Sequence, residues 1–244
     1  MTLFVLAHGG WHGGWCWSAL ADELAARGHS SVAPDLPATD PAAGAVDYAA
    51  VLTGALGGAA DAVLVAHSLA GLCAPLVPVR RVVYLAAMLP VPGRSVDERA
   101  RAGERMTRRG IGRGQTVNPD GSTQWDPAAA VEMLYPDSRP EVARAAAARL
   151  RPQHWTITSE VSPVTSLPAD ATYVRCSDDK IIDADWVRSA VPDPVEIPGD
   201  HSPFLARPAA LAELLTGLAS GPPAGPSSGS PAAPSSGSPA GPAG

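Results

Sequence analysis

Short apolar runs alternate along this chain with longer stretches whose apolar positions recur at helical spacing. Residues 3–7 are continuously apolar, as expected of a parallel strand covered on both faces. Residues 15–27 place Trp17, Leu20 and Leu24 on one helical face and end at Gly28, a suitable C-cap. Residues 31–33, 62–66 and 81–87 read as further strands, with a helix over 48–56 and another over 69–77. After a long interruption the rhythm resumes: strand 171–176, helix 183–190, strand 195–197 and a closing helix over 205–218. Such alternation predicts βαβ units, and hence an α/β core with a mostly parallel sheet of about six strands flanked by helices. That core is expected to occupy 1–89 and 170–218.

The interruption, 90–169, carries no strong buried strand. Helices are expected over 127–135 and 139–150, the second capped by Ser138 with Glu141 three residues on. A helical insertion here is a lid or cap over the carboxyl edge of the sheet. Its residues 94–113 hold seven arginines against Asp97, Glu98 and Glu104. That pattern is expected to form a solvated face; the alternative is a patch that steers an anionic substrate. From 219 to 244 the chain uses only Gly, Pro, Ser and Ala, with Pro-Ser-Ser-Gly-Ser-Pro-Ala at 226–232 and again at 234–240. This composition cannot bury a core, and a disordered tail without catalytic role is expected.

With 45% hydrophobic and 17% charged residues, 244 residues suffice for one domain with a sizeable core. A net charge of −6 argues against nucleic acid as a partner. Lys180 is the single lysine, which reads as the codon bias of a GC-rich genome. Cys16, Cys73 and Cys176 are scattered, without a CxxC spacing or a disulfide framework, so reduced thiols and a cytoplasmic location are expected. Neither a signal peptide nor a membrane span is expected, since a basic leader and a long apolar stretch are both missing.

The chemistry centres on Val65-Ala66-His67-Ser68-Leu69-Ala70-Gly71. An apolar run leads in, a helix-compatible run leads out, and small residues flank the serine at 66, 70 and 71. This is the strand–turn–helix setting of a nucleophile elbow, with Ala66 where Gly is usual. A serine hydroxyl needs a base, and the base needs a buried acid to hold its tautomer. Two further candidates follow expected strand ends: the pair Asp178/Asp179, and His201 in Pro198-Gly199-Asp200-His201. Reacting groups gather at such ends in open α/β sheets. The order serine, acid, histidine is that of the α/β-hydrolases. The oxyanion hole calls for two N–H donors. These are expected from Leu69, and from the glycine loop His8-Gly9-Gly10-Trp11-His12-Gly13-Gly14, most readily Gly10. His8, His12, His29, His67 and His154 are expected to be structural or, at most, pocket-lining. No pair of them shows metal-ligand spacing with an acid or cysteine, so neither metal nor cofactor is expected.

The glycine loop with Trp15, together with His67-Ser68-Leu69-Ala70-Gly71, Leu85-Ala86-Ala87-Met88-Leu89-Pro90, Arg151-Pro152, Cys176-Ser177-Asp178-Asp179-Lys180 and Gly199-Asp200-His201, resembles the plant methylesterase and hydroxynitrile lyase group of α/β-hydrolases and its bacterial relatives. The resemblance spans residues 2 to about 218. It implies Asp179 as the acid, with Asp178 a neighbour, and Gly10 as the second oxyanion donor. Lyases of the group carry a lysine after the histidine and a threonine after the first loop histidine; Ser202 and Gly9 stand there. The expected activity is therefore a serine hydrolase (carboxylesterase type) acting on a small ester through Ser68, His201 and Asp179. Trp11, His12, Trp125 and Trp155 are candidate pocket residues. A lyase or other C–C cleaving activity on the same triad, and a ligand-binding protein with negligible turnover, are the alternatives.

Overall fold

The computed structural model describes residues 1–59 and 61–221. Among these, the strands are β1 (Leu3–Ala7), β2 (Ser30–Val32), β3 (Val63–His67), β4 (Arg81–Leu85), β5 (Gln115–Val117), β6 (Thr123–Trp125), β7 (Ala171–Cys176) and β8 (Val195–Ile197). Six of them form one parallel sheet in the order β2-β1-β3-β4-β7-β8. The central strands are buried along nearly their whole length, which is why they read as unbroken apolar runs. Pairing of Ala7 with Ala66 and of His67 with Leu85 brings the carboxyl ends of β1, β3 and β4 level. The loops leaving those three strands therefore meet at one edge.

The helices are α1 (Ser18–Ala26), α2 (Ala45–Ala55), α3 (Val96–Arg101), α4 (Pro127–Leu134), α5 (Pro140–Ala147), α6 (Thr156–Ser159), α7 (Ala184–Ala190), α8 (Pro203–Ala206) and α9 (Pro208–Ser220). The first and last, α1 and α9, pack together. Local chemistry sets several of the boundaries. The Asp183 carboxylate accepts from the N–H of Asp185 and Trp186 and starts α7. Asp126 does the same for α4, with Pro127 at the first helical position. No helix among the described residues is long and apolar enough to cross a membrane.

Several expectations are corrected. The segment after Ser68 is two 3₁₀ turns, Ser68–Leu72 and Ala74–Leu76, and not one helix over 69–77. Pro75 has no N–H to continue an α-helical ladder. The expected closing helix is split into α8 and α9 at Arg207, because Pro208 disfavours helical backbone at the residue before it. Ser138 does not cap α5. Pro140 opens that helix, so Arg139 is the capping position, and the buried Ser138 hydroxyl has no hydrogen-bond partner among the described residues. The 90–169 insertion is not purely helical: β5 and β6 form an antiparallel hairpin within it, too short to register as a buried apolar run. Residues 219 and 220, expected to open a disordered tail, belong instead to α9, where Ala219 is buried. The rest of it, 222–244, lies outside the described residues.

Candidate active site

Ser68 follows the last residue of β3 and takes a left-handed backbone conformation, φ 53°. For a non-glycine residue this costs about 1–3 kcal/mol and persists only when its surroundings enforce it. Ser68 C=O accepts from Met88 N–H at 3.0 Å. The turn is tight enough that a Cβ on Gly71 would lie 2.2 Å from the Met88 carbonyl oxygen. On the other side, a Cβ on Gly9 would lie 2.7 Å from Ser68 Cβ. Both glycines are present because backbone passes there at contact distance.

Asp179 and His201 come together from the loops after β7 and β8. His201 Nδ1 lies 2.9 Å from Asp179 Oδ2, and both side chains are almost wholly buried. The other carboxylate oxygen, Oδ1, accepts from the N–H of Ile181 and Ile182 at 2.7 and 3.0 Å, which fixes the plane of the acid. Asp178 points away, exposed, and accepts from the Ser177 hydroxyl. A proton on Nδ1 shared with a carboxylate leaves Nε2 of a neutral His201 as an acceptor. Asp200, also buried, accepts from Asp137 N–H and Ser202 N–H, each at 2.9 Å, so the turn bearing His201 is held from both sides. Burial pushes the Asp200 carboxyl up from its ordinary range. No described group hydrogen-bonds the Ser68 hydroxyl or His201 Nε2. Catalytic hydrogen bonds often tighten only when substrate binds.

The glycine loop is held by two imidazoles. Leu36 N–H donates to His8 Nε2 at 2.9 Å, so the ring proton sits on Nδ1, which donates to Gly9 O at 2.8 Å. Within one trans peptide the C=O and N–H point in opposite directions. Pinning Gly9 O therefore turns Gly10 N–H away from His8. His12 Nδ1 donates to Gly10 O at 2.8 Å, and Tyr135 O–H donates to His12 Nε2 at 2.8 Å. Burial lowers the pKa to about 4 for His8 and to about 3 for His12. Both are therefore neutral donors near pH 7. Both nitrogens of His12 are occupied, so this candidate pocket residue braces the loop. Leu69, in the first turn of its 3₁₀ helix, has no intrahelical acceptor for its N–H.

The three candidate tryptophans lie together. The Trp11 ring meets Trp125 and Trp155 edge-on, with centroids 5.4 and 5.0 Å apart. The Thr123 hydroxyl accepts from the indole N–H of both Trp11 and Trp155, at 3.0 and 2.9 Å. A Cβ on Gly10 would lie 3.6 Å from Trp155 Cη2 and 3.8 Å from Leu69 Cδ2. Sequence reasoning passed over Tyr135, Thr123 and Gln153. Their contacts with the loop span more than a hundred residues, and no local signal marks them.

Of the other expected features, the arginine-rich segment is partly internal. Arg99 is buried, donates to Leu89 O and pairs with Glu104 at 2.6 Å, while Arg94 pairs with Glu98 and Glu104. All three cysteines are buried free thiols, and burial raises the pKa of Cys73 to about 12. Among the described residues no group of three or more His, Cys, Asp or Glu could hold a metal ion.

A parallel sheet with a strained serine at the end of its third strand, and an acid–histidine pair beyond its last two, defines the class. The chain belongs to the alpha/beta hydrolase family, whose pattern it matches over residues 4–214. Methyl jasmonate esterase 1 of Vitis vinifera is 27% identical over 248 residues, covering 87% of this chain and 94% of that protein. The probable esterase PIR7A of Oryza sativa subsp. japonica is 27% identical over 253 residues, covering 89% and 96%. Among solved structures, polyneuridine aldehyde esterase superposes with a TM-score of 0.74 at 22% identity, covering 89% of this chain and 99% of that one. A pyrethroid hydrolase from Sphingobium faniae JZ-2 gives 0.74 at 22%, covering 91% and 98%. At that identity the structural likeness concerns the fold alone.

Proposed function

We propose that this protein is a serine hydrolase that cleaves a small carboxylic ester, with Ser68 as nucleophile, His201 as general base and acid, and Asp179 as the group that orients and stabilises His201. The observation that carries this reading is the 2.9 Å contact between His201 Nδ1 and Asp179 Oδ2, on loops that share a sheet edge with a serine at φ 53°. Ser68 Oγ attacks the ester carbonyl carbon as its proton passes to His201 Nε2. The oxyanion is held by the N–H groups of Gly10 and Leu69, and His201 then protonates the departing alcohol. Water, deprotonated by the same histidine, attacks the acyl-enzyme and regenerates Ser68. The insertion acts as a lid whose Trp11-facing residues Trp125 and Trp155 line the acyl or alcohol pocket. The esterase names of the relatives support ester hydrolysis as the reaction.

Two features disfavour the lyase alternative. Ser202 follows His201, and the single lysine, Lys180, donates to Glu132 O at the surface, so it supplies no cation for a cyanide leaving group. A threonine at position 9 has no room, since any Cβ there meets Ser68 and His67. The test is a panel of short aryl esters together with a fluorophosphonate probe, applied to wild type and Ser68→Ala. Hydrolysis and labelling confined to wild type are expected. Labelling that persists in Ser68→Ala removes Ser68 as the nucleophile, a labelled protein without turnover favours a binding role, and cyanide release from mandelonitrile above background restores the lyase reading.

A further inference from the structure

Trp11 follows Gly10 in the glycine loop and is, like Ser68, a non-glycine residue in the left-handed region, φ 63°. Each of its hydrogen-bonding groups is held by the 90–169 insertion. Its N–H donates to Gln153 Oε1 at 3.2 Å, its C=O accepts from Arg151 N–H at 2.7 Å, and its indole N–H donates to Thr123 Oγ1 at 3.0 Å. Gln153 is itself buried and fixed: Nε2 donates to the Tyr48 hydroxyl and to His154 O, and its main chain pairs with Thr123 in both directions.

Two adjacent N–H groups, those of Gly10 and Trp11, could face a developing oxyanion. The one on Trp11 is engaged by Gln153, and the one on Gly10 has no acceptor among the described residues. We infer that Gln153 is a positioning residue for the oxyanion hole: by holding Trp11 N–H it keeps the strained loop in the conformation that presents Gly10 N–H to the substrate oxygen. The insertion is then a structural part of the hole as well as its cover. Residues on the core alone do not satisfy Trp11, and a left-handed tryptophan relaxes when its partners are removed. This inference rests on the hydrolase reading above.

The experiment compares wild type, Gln153→Met, Ser95→Ala and Ser68→Ala on one aryl ester. Inhibition by an aryl trifluoromethyl ketone, whose hemiketal oxygen occupies the oxyanion position, is measured alongside. Gln153→Met keeps the side-chain length and loses the acceptor. It is expected to lower kcat by about 10²-fold with KM little changed, the scale of a misplaced transition-state contact, and to weaken the ketone by a similar factor. Ser95→Ala removes the cap that accepts from Glu98 N–H at the start of α3 and bonds neither Trp11 nor Gln153; it is expected to lower Tm but leave kcat near wild type. Should Gln153→Met fail to fold, Thr123→Val removes the indole anchor and carries the same expectation for kcat and ketone affinity. The inference is overturned if the folded variant loses stability while keeping kcat and ketone affinity, or if only KM rises. If wild-type hydrolysis does not depend on Ser68, the hydrolase reading fails first and this inference falls with it.

Discussion

The main-chain carbonyl of His201 accepts a hydrogen bond from Nε2 of His67 at 2.9 Å. The residue before the candidate nucleophile is thereby tied to the candidate base, and the two rings lie 4.6 Å apart, centroid to centroid. With its proton on Nε2, His67 has a buried Nδ1 without a hydrogen-bond partner among the described residues, and burial holds its pKa well below the ordinary range. His67→Ala removes the tie and leaves His201 O unsatisfied. It is expected to cost about 1–3 kcal/mol of stability, read by urea unfolding, and to lower kcat more than KM. A variant with wild-type kcat would show that the turn bearing His201 needs no support from the elbow.

Asp179→Asn keeps an oxygen for the Ile181 and Ile182 N–H groups and turns an N–H₂ toward His201. The histidine is then driven to the wrong tautomer. The expected result is a fall of about 10⁴-fold in kcat with a near-native Tm, whereas Asp178→Asn leaves kcat unchanged. Steady-state ester hydrolysis by the two variants separates the neighbouring acids; equal effects would contradict the assignment of Asp179.

Gly9→Ala places a methyl 2.7 Å from Ser68 Cβ and 2.8 Å from His67 Nδ1. Neither neighbour can retreat, since both belong to the elbow. Overpacking of this kind costs about 1–3 kcal/mol, and a displaced nucleophile loses about 10²-fold in rate. Thermal melting and kcat measured together check this, and an unaffected kcat would mean that the loop can withdraw from the serine.

Acid should destabilise the fold through His8 and His12. Their folded pKa values, about 4 and about 3, lie below the unfolded value of 6.5. Between pH 6.5 and those values the unfolded chain binds more protons, so stability falls as pH falls and is fully present above 6.5. The loss is of the order of 3 kcal/mol per histidine. Unfolding free energy measured from pH 7.5 to 4 should drop steeply, and His8→Gln should flatten the slope while lowering stability at pH 7.5. A slope unchanged by that substitution would refute the buried neutral state of His8.

The cysteines should be inert in the native protein. All three are buried, and burial raises their thiol pKa values. Reaction with an aromatic disulfide reagent is expected only on unfolding, and rapid native-state modification would contradict the packing around them.

Much of the core could be read from one dimension. A strand covered on both faces must be apolar throughout, so β1, β3, β4 and β7 stood out as runs; the candidate serine and acid followed from the loops after β3 and β7, and the histidine from the loop after the short β8. Errors fell where a local rule met a proline: Pro75, Pro140 and Pro208 each moved or broke an expected helix. The β5–β6 hairpin escaped because each of its strands has three residues and alternates too briefly to show a period.

Residue order alone determined the alternating α/β core, the elbow at Ser68 and the set of groups available for chemistry, because strand burial, turn sterics and the titrating side chains are properties of short segments. Only the folded structure decided which of Asp178 and Asp179 meets His201, which imidazoles grip the glycine loop, and that Gln153 engages Trp11 N–H while Gly10 N–H has no acceptor among the described residues. The acid–histidine and Gln153–Trp11 bonds join residues 22 and 142 positions apart, and the two imidazoles are oriented by Leu36 and Tyr135, 28 and 123 positions away. Their geometry follows from how the sheet and the insertion pack together.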